Sequence, residues 1–188
     1  MDFYQKNLTF AVTNLSVNKN WVDAVNEWEI LDCIEDESMS SSCVCGKEKL
    51  RYLFTITNKL NGNKLYPIGS SCIKKFERVD LCEMVSIKEQ LFKLLHAIKS
   101  NKYINFDANL FSRKLLKYFL DNSVFVPTIY NHSNPNNDYE FMLNMFNLRS
   151  KLDEKQDKRV KAILLNYIKP YLEKILKNKV KTLIEKSF

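Results

Sequence analysis

Apolar and polar residues follow two different periods along the chain, and the change falls near residue 80. Before it, LRYLFTIT (50–57) and KLYPI (64–68) are rich in β-branched and aromatic residues and are separated by a segment containing Asn-Gly. Such a pair of runs is typical of a β-hairpin. WEILDCIED (28–36) reads as one further strand. The first part of the chain therefore predicts a hairpin and an additional strand.

After residue 80 the apolar positions recur with a period of about 3.6 residues, which indicates amphipathic helices. The first two helices are expected to begin at caps formed by Asp80 and Asp107, and a third to cover residues 138–151. The longest pattern runs from about 154 to 185, where Pro170 is expected to kink or split the helix. Packing against the other helices is the expected role of its apolar stripe, with a partner groove or self-association as the alternative.

All three glycines of this 188-residue chain lie near three of its five cysteines. Gly46 closes CVCG, where the sharp turn of a metal-binding knuckle often requires a positive φ. Gly69 precedes a segment in which Ser70 or Ser71 can cap a helix that carries Cys72 in its first turn. The order of knuckle, hairpin and helix start is that of a treble-clef-like zinc module.

The hairpin is expected to bring three cysteines together, because its two strands start and end at the same place. Cys43, Cys45 and Cys72 would then converge on one ion. Thiolates suit zinc, and a closed tetrahedral Zn²⁺ site would be structural and contribute directly to folding. The alternative for these cysteines is burial as small hydrophobic side chains.

A closed zinc site needs a fourth ligand, and Cys33 in WEILDCIED is the first choice. Cys82 is the second, since a helix that continued past Cys72 would carry it away from the site. His132, in the loop YNHSNPNN, is the third. His96 lies in a predicted helix, where a histidine more often packs or faces solvent than binds a metal.

These patterns predict an α+β fold, with an α/β zinc-binding module over residues 1–80 and a helical domain over residues 81–188. The charge follows the same division, because residues 1–80 carry 10 Lys and Arg against 11 Asp and Glu, whereas residues 81–188 carry 19 against 11. The net charge of +7 argues against a protein that imitates DNA.

Two groups of lysines are candidate contacts with a partner, and a solvated surface is the default interpretation of both. Lys74 and Lys75 follow the last metal-site cysteine, and Lys174, Lys177 and Lys181 lie on the long helix. As a binding surface, these side chains would contact phosphates or acidic residues.

Several classes of function are disfavoured by what the sequence lacks. No apolar run approaches the ~20 residues of a membrane span, and the first ten residues do not resemble a signal peptide. We therefore expect a protein of a reducing cytoplasm, where an odd number of cysteines favours metal binding over disulfides. Because nucleophile elbows, phosphate-binding glycine loops and zinc-deaminase motifs are missing, we expect neither an enzyme nor a small-molecule substrate.

The motif string C-x-C-G, LRYLFTITN, NGN and LYPIGSSCIKKF resembles small proteins encoded by phages and other mobile elements of Gram-positive bacteria. FDANLFSRKLLKYFL and DYEFMLNMFN also look like that group, so the likeness spans roughly residues 28–172. The chain is also similar to zinc-binding anti-CRISPR proteins that inhibit type II-A Cas9.

This resemblance implies a protein of the bacterial host cytoplasm that binds Cas9 or its guide RNA complex and blocks the loading of target DNA. Because a positive protein is repelled by the basic nucleic-acid channel of Cas9, an outer face of the recognition lobe is the first expected docking surface. The alternative is a zinc-stabilised DNA- or RNA-binding protein of a phage or mobile element, favoured by the positive half of the chain. A plain scaffold protein is a third possibility.

Overall fold

A computed structural model describes residues 2–100, 106–148 and 150–175 of the chain. The described residues form seven α-helices and one three-stranded antiparallel sheet, so the protein is a mixed α and β protein, as expected. The chain divides into two compact units, residues 1–89 and 90–188. Within the described ranges, no helix combines the length and the apolar character that crossing a bilayer requires.

The first unit contains the sheet. Its elements, in chain order, are α1 (Phe3–Leu15), α2 (Trp21–Ala24), β1 (Trp28–Glu35), β2 (Tyr52–Asn58), β3 (Lys64–Ile68) and α3 (Ser70–Lys74). The strand order is β1-β2-β3, with both pairs antiparallel. The hairpin and the further strand predicted from the sequence are therefore confirmed.

Helix α1 was not predicted, because its apolar residues do not form a single stripe. Leu8 and Val12 are fully buried, whereas Phe3 and Phe10 are mostly exposed. Asp2 caps the helix by accepting a hydrogen bond from the backbone N–H of Gln5. Because apolar residues lie on two faces of α1, the sequence lacks the single apolar stripe by which an amphipathic helix is recognised.

A β-bulge in β1 decides which of its side chains reach the core. The pairing with β2 shifts between Ile30 and Asp32, so Leu31 is the extra residue and is exposed. Trp28 and Cys33 are five positions apart and would point to opposite faces of a regular strand. Because the bulge adds one residue, both are buried.

The carboxylate of Glu27, just before β1, is buried and ties the end of α1 to the sheet. It accepts hydrogen bonds from the backbone N–H groups of Val17 (2.8 Å) and Asn18 (2.7 Å) and from the side-chain amides of Asn18 and Asn58. Only 4% of Glu27 is exposed. A buried charge needs such a set of donors to offset the loss of hydration.

Helix α4 (Val79–Lys99) begins one residue before the expected cap, and Asp80 lies in its first turn, paired with Arg78. Helix α5 (Arg113–Asp121) is capped by Ser112, which accepts a hydrogen bond from the N–H of Leu115, and not by Asp107. Asp107 instead accepts from the N–H of Asn109 in a separate turn. Both residue types are good caps, so composition alone did not distinguish them.

The last two helices are α6 (Pro135–Asn147) and α7 (Glu154–Ile163). Helix α6 starts earlier than predicted, because Asn134 caps it and Pro135 occupies its first position.

Helix α7 continues through a π-helical segment (Leu164–Ile168) and an α-helical stretch to residue 175. Pro170 therefore does not split the described helix. It has no N–H for the carbonyl of Asn166, which lies in the π-helical segment, where the hydrogen-bonding pattern is already altered. The predicted continuation to residue 185 lies outside the described residues.

Candidate metal centre

Three thiol groups meet at the open end of the β2–β3 hairpin. The Sγ atom of Cys72 lies 3.6 Å from that of Cys43 and 3.4 Å from that of Cys45, and all three sulfurs lie within 4.8 Å of one another. In a tetrahedral zinc site, sulfurs about 2.3 Å from the ion are about 3.8 Å from each other. The three cysteines are therefore close enough to hold a metal ion, as the sequence predicted.

A tight turn aims the first two sulfurs at the same point. The N–H of Cys43 donates to the carbonyl of Lys47 (2.8 Å), and the N–H of Gly46 donates back to the carbonyl of Cys43 (2.7 Å). Gly46 has φ +92°, the left-handed region that favours glycine. The N–H of Val44 donates to the carbonyl of Pro67 (2.9 Å), which fastens the knuckle to β3.

Gly69 brings the third sulfur close to the knuckle. It is the N-cap residue of α3, where the sequence had suggested Ser70 or Ser71, and its N–H donates to the Sγ of Cys43 (3.3 Å). Its φ is −83°, so it does not need the conformational freedom of glycine. A Cβ atom would lie 2.9 Å from the Cδ2 of Leu50. A larger residue at this position would therefore have to displace the buried side chain of Leu50.

Helix α1 covers the outer side of the knuckle. The side-chain amide of Asn7 donates to the carbonyl of Cys45 (3.1 Å). The ring of Phe3 lies 3.6 Å from the position that a Cβ on Gly46 would occupy. Cys43, Cys45 and Cys72 are each at most 5% exposed. The knuckle, the hairpin and two helices thus enclose the sulfurs.

The electrostatics of the cluster favour one thiolate. Hydrogen bonding with the Cys72 thiol lowers the pKa of Cys43 from 9.0 to about 5, against the opposing effect of burial and with help from the N–H groups of Cys45 and Gly69. The contact with Cys43 and burial both raise the pKa of Cys72. A cation between the sulfurs would stabilise all three thiolates and release protons on binding.

Cys33, the predicted fourth ligand, is not part of this cluster. It is buried in β1 and pairs across the sheet with Phe54, which is fully buried. Its thiol lies 3.9 Å from the carbonyl of Ile34. The bulge in β1 turns its side chain into the core of the sheet, where it packs as a small hydrophobic group.

The other candidate ligands also lie outside the cluster, which contains none of Cys82, His96 and His132. His132 ends a short 3₁₀ turn with φ +55° and is exposed. Cys82 and His96 belong to α4. All five cysteines and both histidines of the chain lie in the described ranges, and none of the cysteines forms a disulfide.

Three of the five predicted partner-binding lysines lie in the described residues. Lys74 is the last residue of α3 and is exposed, and Lys75, which follows it, is half-buried. Lys174 is exposed on the helical stretch after Pro170. Lys177 and Lys181 lie outside the described residues.

A second candidate site, which the sequence analysis did not single out, lies in the second unit. Ile129 and Tyr130 are each 81% exposed on a 3₁₀ turn (Ile129–Asn131). The backbone N–H of Thr128 donates to the Oδ1 of Asn131 (2.8 Å), and the N–H of Asn131 donates to the hydroxyl of Thr128 (3.3 Å). This capping box, T-x-x-N, was the sequence signal that could have revealed the turn.

A buried polar network holds this turn from beneath. The side-chain amide of Asn131 donates to the carbonyl of Val126 (2.8 Å) and to the carboxylate of Asp138 (2.7 Å). Asp138 also accepts from the guanidinium of Arg159 (3.0 Å), which stacks over the ring of Phe141. Asn131 and Asp138 are both buried. The turn therefore presents two large apolar side chains on a fixed backbone.

The fold and the cysteine cluster define a mixed α and β protein with a candidate metal centre. Comparison with known proteins found no matching family model, curated protein or solved structure.

Proposed function

We propose that this protein is a zinc-stabilised binding protein that inhibits a type II-A Cas9. The resemblance to anti-CRISPR metalloproteins supplies the target, since it rests on the motif that carries the three clustered cysteines. The order of the knuckle, the β2–β3 hairpin and α3 supports a treble-clef-like module. Its role is binding, and no catalytic step is assigned to it.

Zinc is the metal that we propose for the cluster. Soft thiolate ligands favour Zn²⁺, Cu(I) or iron–sulfur clusters, and zinc is the usual ion of small structural sites. The spacing of the sulfurs supports a single tetrahedral ion. When bound, zinc supplies a link between the knuckle and α3, whose sulfurs are 29 residues apart in the chain. It would thus contribute to folding.

The observation that carries a protein-binding function is the exposed pair Ile129 and Tyr130. Binding energy at protein interfaces concentrates in a few large residues, with tyrosine enriched among them. A side chain held on a rigid turn loses less conformational entropy when it binds. We propose that these two residues anchor the partner.

Charge supports a docking place away from the nucleic-acid channel. The net charge of +7 would be repelled by the basic channel of Cas9. We therefore propose an outer face of the recognition lobe as the binding surface, with inhibition of target-DNA loading as the result. Lys74, Lys75, Lys174, Lys177 and Lys181 are the candidate contacts with acidic residues at the rim, where charges mainly affect the association rate.

The test is binding of the purified full chain to guide-loaded Cas9. We expect co-elution in size-exclusion chromatography and loss of target-DNA binding by the complex. The variant Ile129→Ser/Tyr130→Ser should weaken binding at least tenfold, about 1.4 kcal/mol. Phe10→Ser is the control, because Phe10 is also largely exposed but lies on α1. No complex at micromolar concentration would refute the proposal.

A second candidate function, nucleic-acid binding, is favoured by the charge of residues 81–188, with 19 basic against 11 acidic side chains. In that case affinity for DNA or RNA should fall steeply with salt, because phosphate contacts release counterions. A pull-down from cells that express Cas9, with and without nuclease, separates the two functions. Negligible DNA and RNA binding at low salt removes the second one.

A further inference from the structure

The thiol and imidazole groups of the chain supply only three ligands to the metal centre. The chain has five cysteines and two histidines, and all of them lie in the described ranges. Among the cysteines, the Sγ atoms of Cys43, Cys45 and Cys72 form the group that lies within 4.8 Å of one another, and no histidine belongs to this group. A tetrahedral zinc ion needs one more ligand.

We propose that the fourth ligand of this metal ion comes from outside the protein and is a water molecule in the isolated chain. This inference rests on the proposed metal binding by the three cysteines. It distinguishes the site from the closed four-cysteine centre that the sequence suggested with Cys33.

The position of Cys33 argues against a fourth thiolate. Its strand is paired with β2 on both sides of it, through Asp32–Thr55 and Ile34–Leu53. To reach the cluster, Cys33 would have to leave its place opposite Phe54. A shift of one residue in the pairing would turn the whole strand over and expose Trp28, which is fully buried.

Carboxylates do not fill the position either. The cluster includes none of the Asp and Glu residues in the part of the chain that the structure describes. Glu185 is the carboxylate side chain that lies outside the described residues. With the described carboxylates absent from the cluster, we assign the oxygen ligand to solvent.

The surroundings limit the size of the ligand. The three cysteines are 5%, 1% and 3% exposed, so only a small molecule could bind beside their sulfurs. Water fits this restriction and is the fourth ligand in catalytic zinc sites that have three protein ligands.

The experiment is X-ray absorption spectroscopy of the full chain loaded with zinc and purified without thiol reductants. We expect three sulfur neighbours and one oxygen neighbour per zinc. Cys33→Val, Cys82→Ala and Glu185→Gln should each retain one zinc and give the same spectrum, and a loss of the oxygen neighbour from Glu185→Gln would overturn the inference. Valine at position 33 keeps an apolar side chain opposite Phe54, so the sheet should be preserved.

The outcomes separate this inference from the proposed function. A count of four sulfurs in the wild-type protein overturns the inference but leaves zinc binding intact. Loss of zinc from the Cys33→Val variant, with its secondary structure retained in circular dichroism, overturns it as well. Absence of stoichiometric metal from the wild-type protein overturns both.

Discussion

Glu27 illustrates how one side chain can join distant segments. Its carboxylate binds the chain after α1 through Val17 and Asn18 and binds the end of β2 through Asn58. Burial raises its pKa, but these hydrogen bonds outweigh that effect and lower the pKa from 4.5 to about 2. The charged form is therefore the one that the folded protein stabilises.

The first prediction concerns the pH dependence that follows from Glu27. Because its folded pKa lies below the unfolded value, its contribution to stability is complete above about pH 4.5 and is lost as the pH falls towards 2. Glu27→Gln should destabilise the protein at pH 7 by about 2 kcal/mol, since it loses charged hydrogen bonds. It should also reduce the fall in stability between pH 4.5 and 2.

Urea denaturation at pH 6 and pH 3 measures both effects. Glu29→Gln is the matched control, because Glu29 is exposed on the neighbouring strand. An equal loss of stability on acidification in the wild type and in Glu27→Gln would contradict the assignment.

The second prediction tests the close packing at Gly69. Gly69→Ala should lower stability by about 1 to 2 kcal/mol, because the new methyl group would lie 2.9 Å from the buried Leu50 side chain. The double variant Gly69→Ala/Leu50→Val should be more stable than the sum of the single changes. Thermal unfolding of the three variants measures the coupling. If the stability changes of the two single variants simply add up in the double variant, contact with Leu50 is not the reason why a side chain at position 69 is unfavourable.

Among the elements, short turns position the candidate sites. The knuckle at residues 43–46 aims two sulfurs, and the turn Ile129–Asn131 presents two apolar side chains. Both turns contain left-handed residues, Gly46 in the first and His132 at the end of the second. Turns allow side chains to project in directions that the faces of helices and strands do not offer.

The third prediction concerns the rigidity of the second turn. Asn131→Ala should destabilise the second unit by about 1 to 3 kcal/mol, because the carboxylate of Asp138 and the N–H of Thr128 lose a buried partner. Binding to the proposed Cas9 partner should weaken although Ile129 and Tyr130 are unchanged. Asn122→Ala is the control, since Asn122 is exposed and its side-chain amide donates to the local carbonyl of Tyr118.

Chemical denaturation and partner affinity measure the two effects of Asn131→Ala. If the variant is destabilised but binds as tightly as the wild type, the turn is not a preorganised anchor.

At the scale of the whole molecule, the two compact units differ in what stabilises them. The first contains the sheet and the cysteine cluster, whereas the described part of the second contains helices and turns. A metal ion in the first unit would add to its folding free energy directly. We therefore expect the units to respond differently to metal removal.

The fourth prediction follows from this difference. Removal of the proposed zinc ion with a chelator, or the substitution Cys72→Ser, should unfold the first unit and leave much of the helical structure of the second. Hydrogen exchange should show lost protection in β1, β2 and β3 and retained protection in α5 and α6. Metal analysis should show loss of zinc from Cys72→Ser, with Cys82→Ser as the control that retains it. Full zinc retention in Cys72→Ser would exclude it from the ligand set.

The sequence by itself determined the features that depend on neighbouring residues. The Asn-Gly turn and its flanking β-branched runs specify the β2–β3 hairpin, and the hairpin returns Cys72 to Cys43 and Cys45. Helix α4 was predicted to within two residues at each end because its apolar period is regular. In each case the signal lies within a few residues, where backbone geometry and hydrophobic spacing act directly.

Only the tertiary structure decided the features that depend on contacts between distant residues. The bulge in β1 turned the side chain of Cys33 into the sheet and not towards the cysteine cluster. The close approach of the Leu50 side chain explained why position 69 is a glycine. Asn131 supports the exposed turn Ile129–Asn131 because its side chain is held by a hydrogen bond to Asp138, which in turn accepts from Arg159. These features depend on which side chains come into contact after folding. The local secondary-structure propensity of a segment carries little information about such long-range contacts.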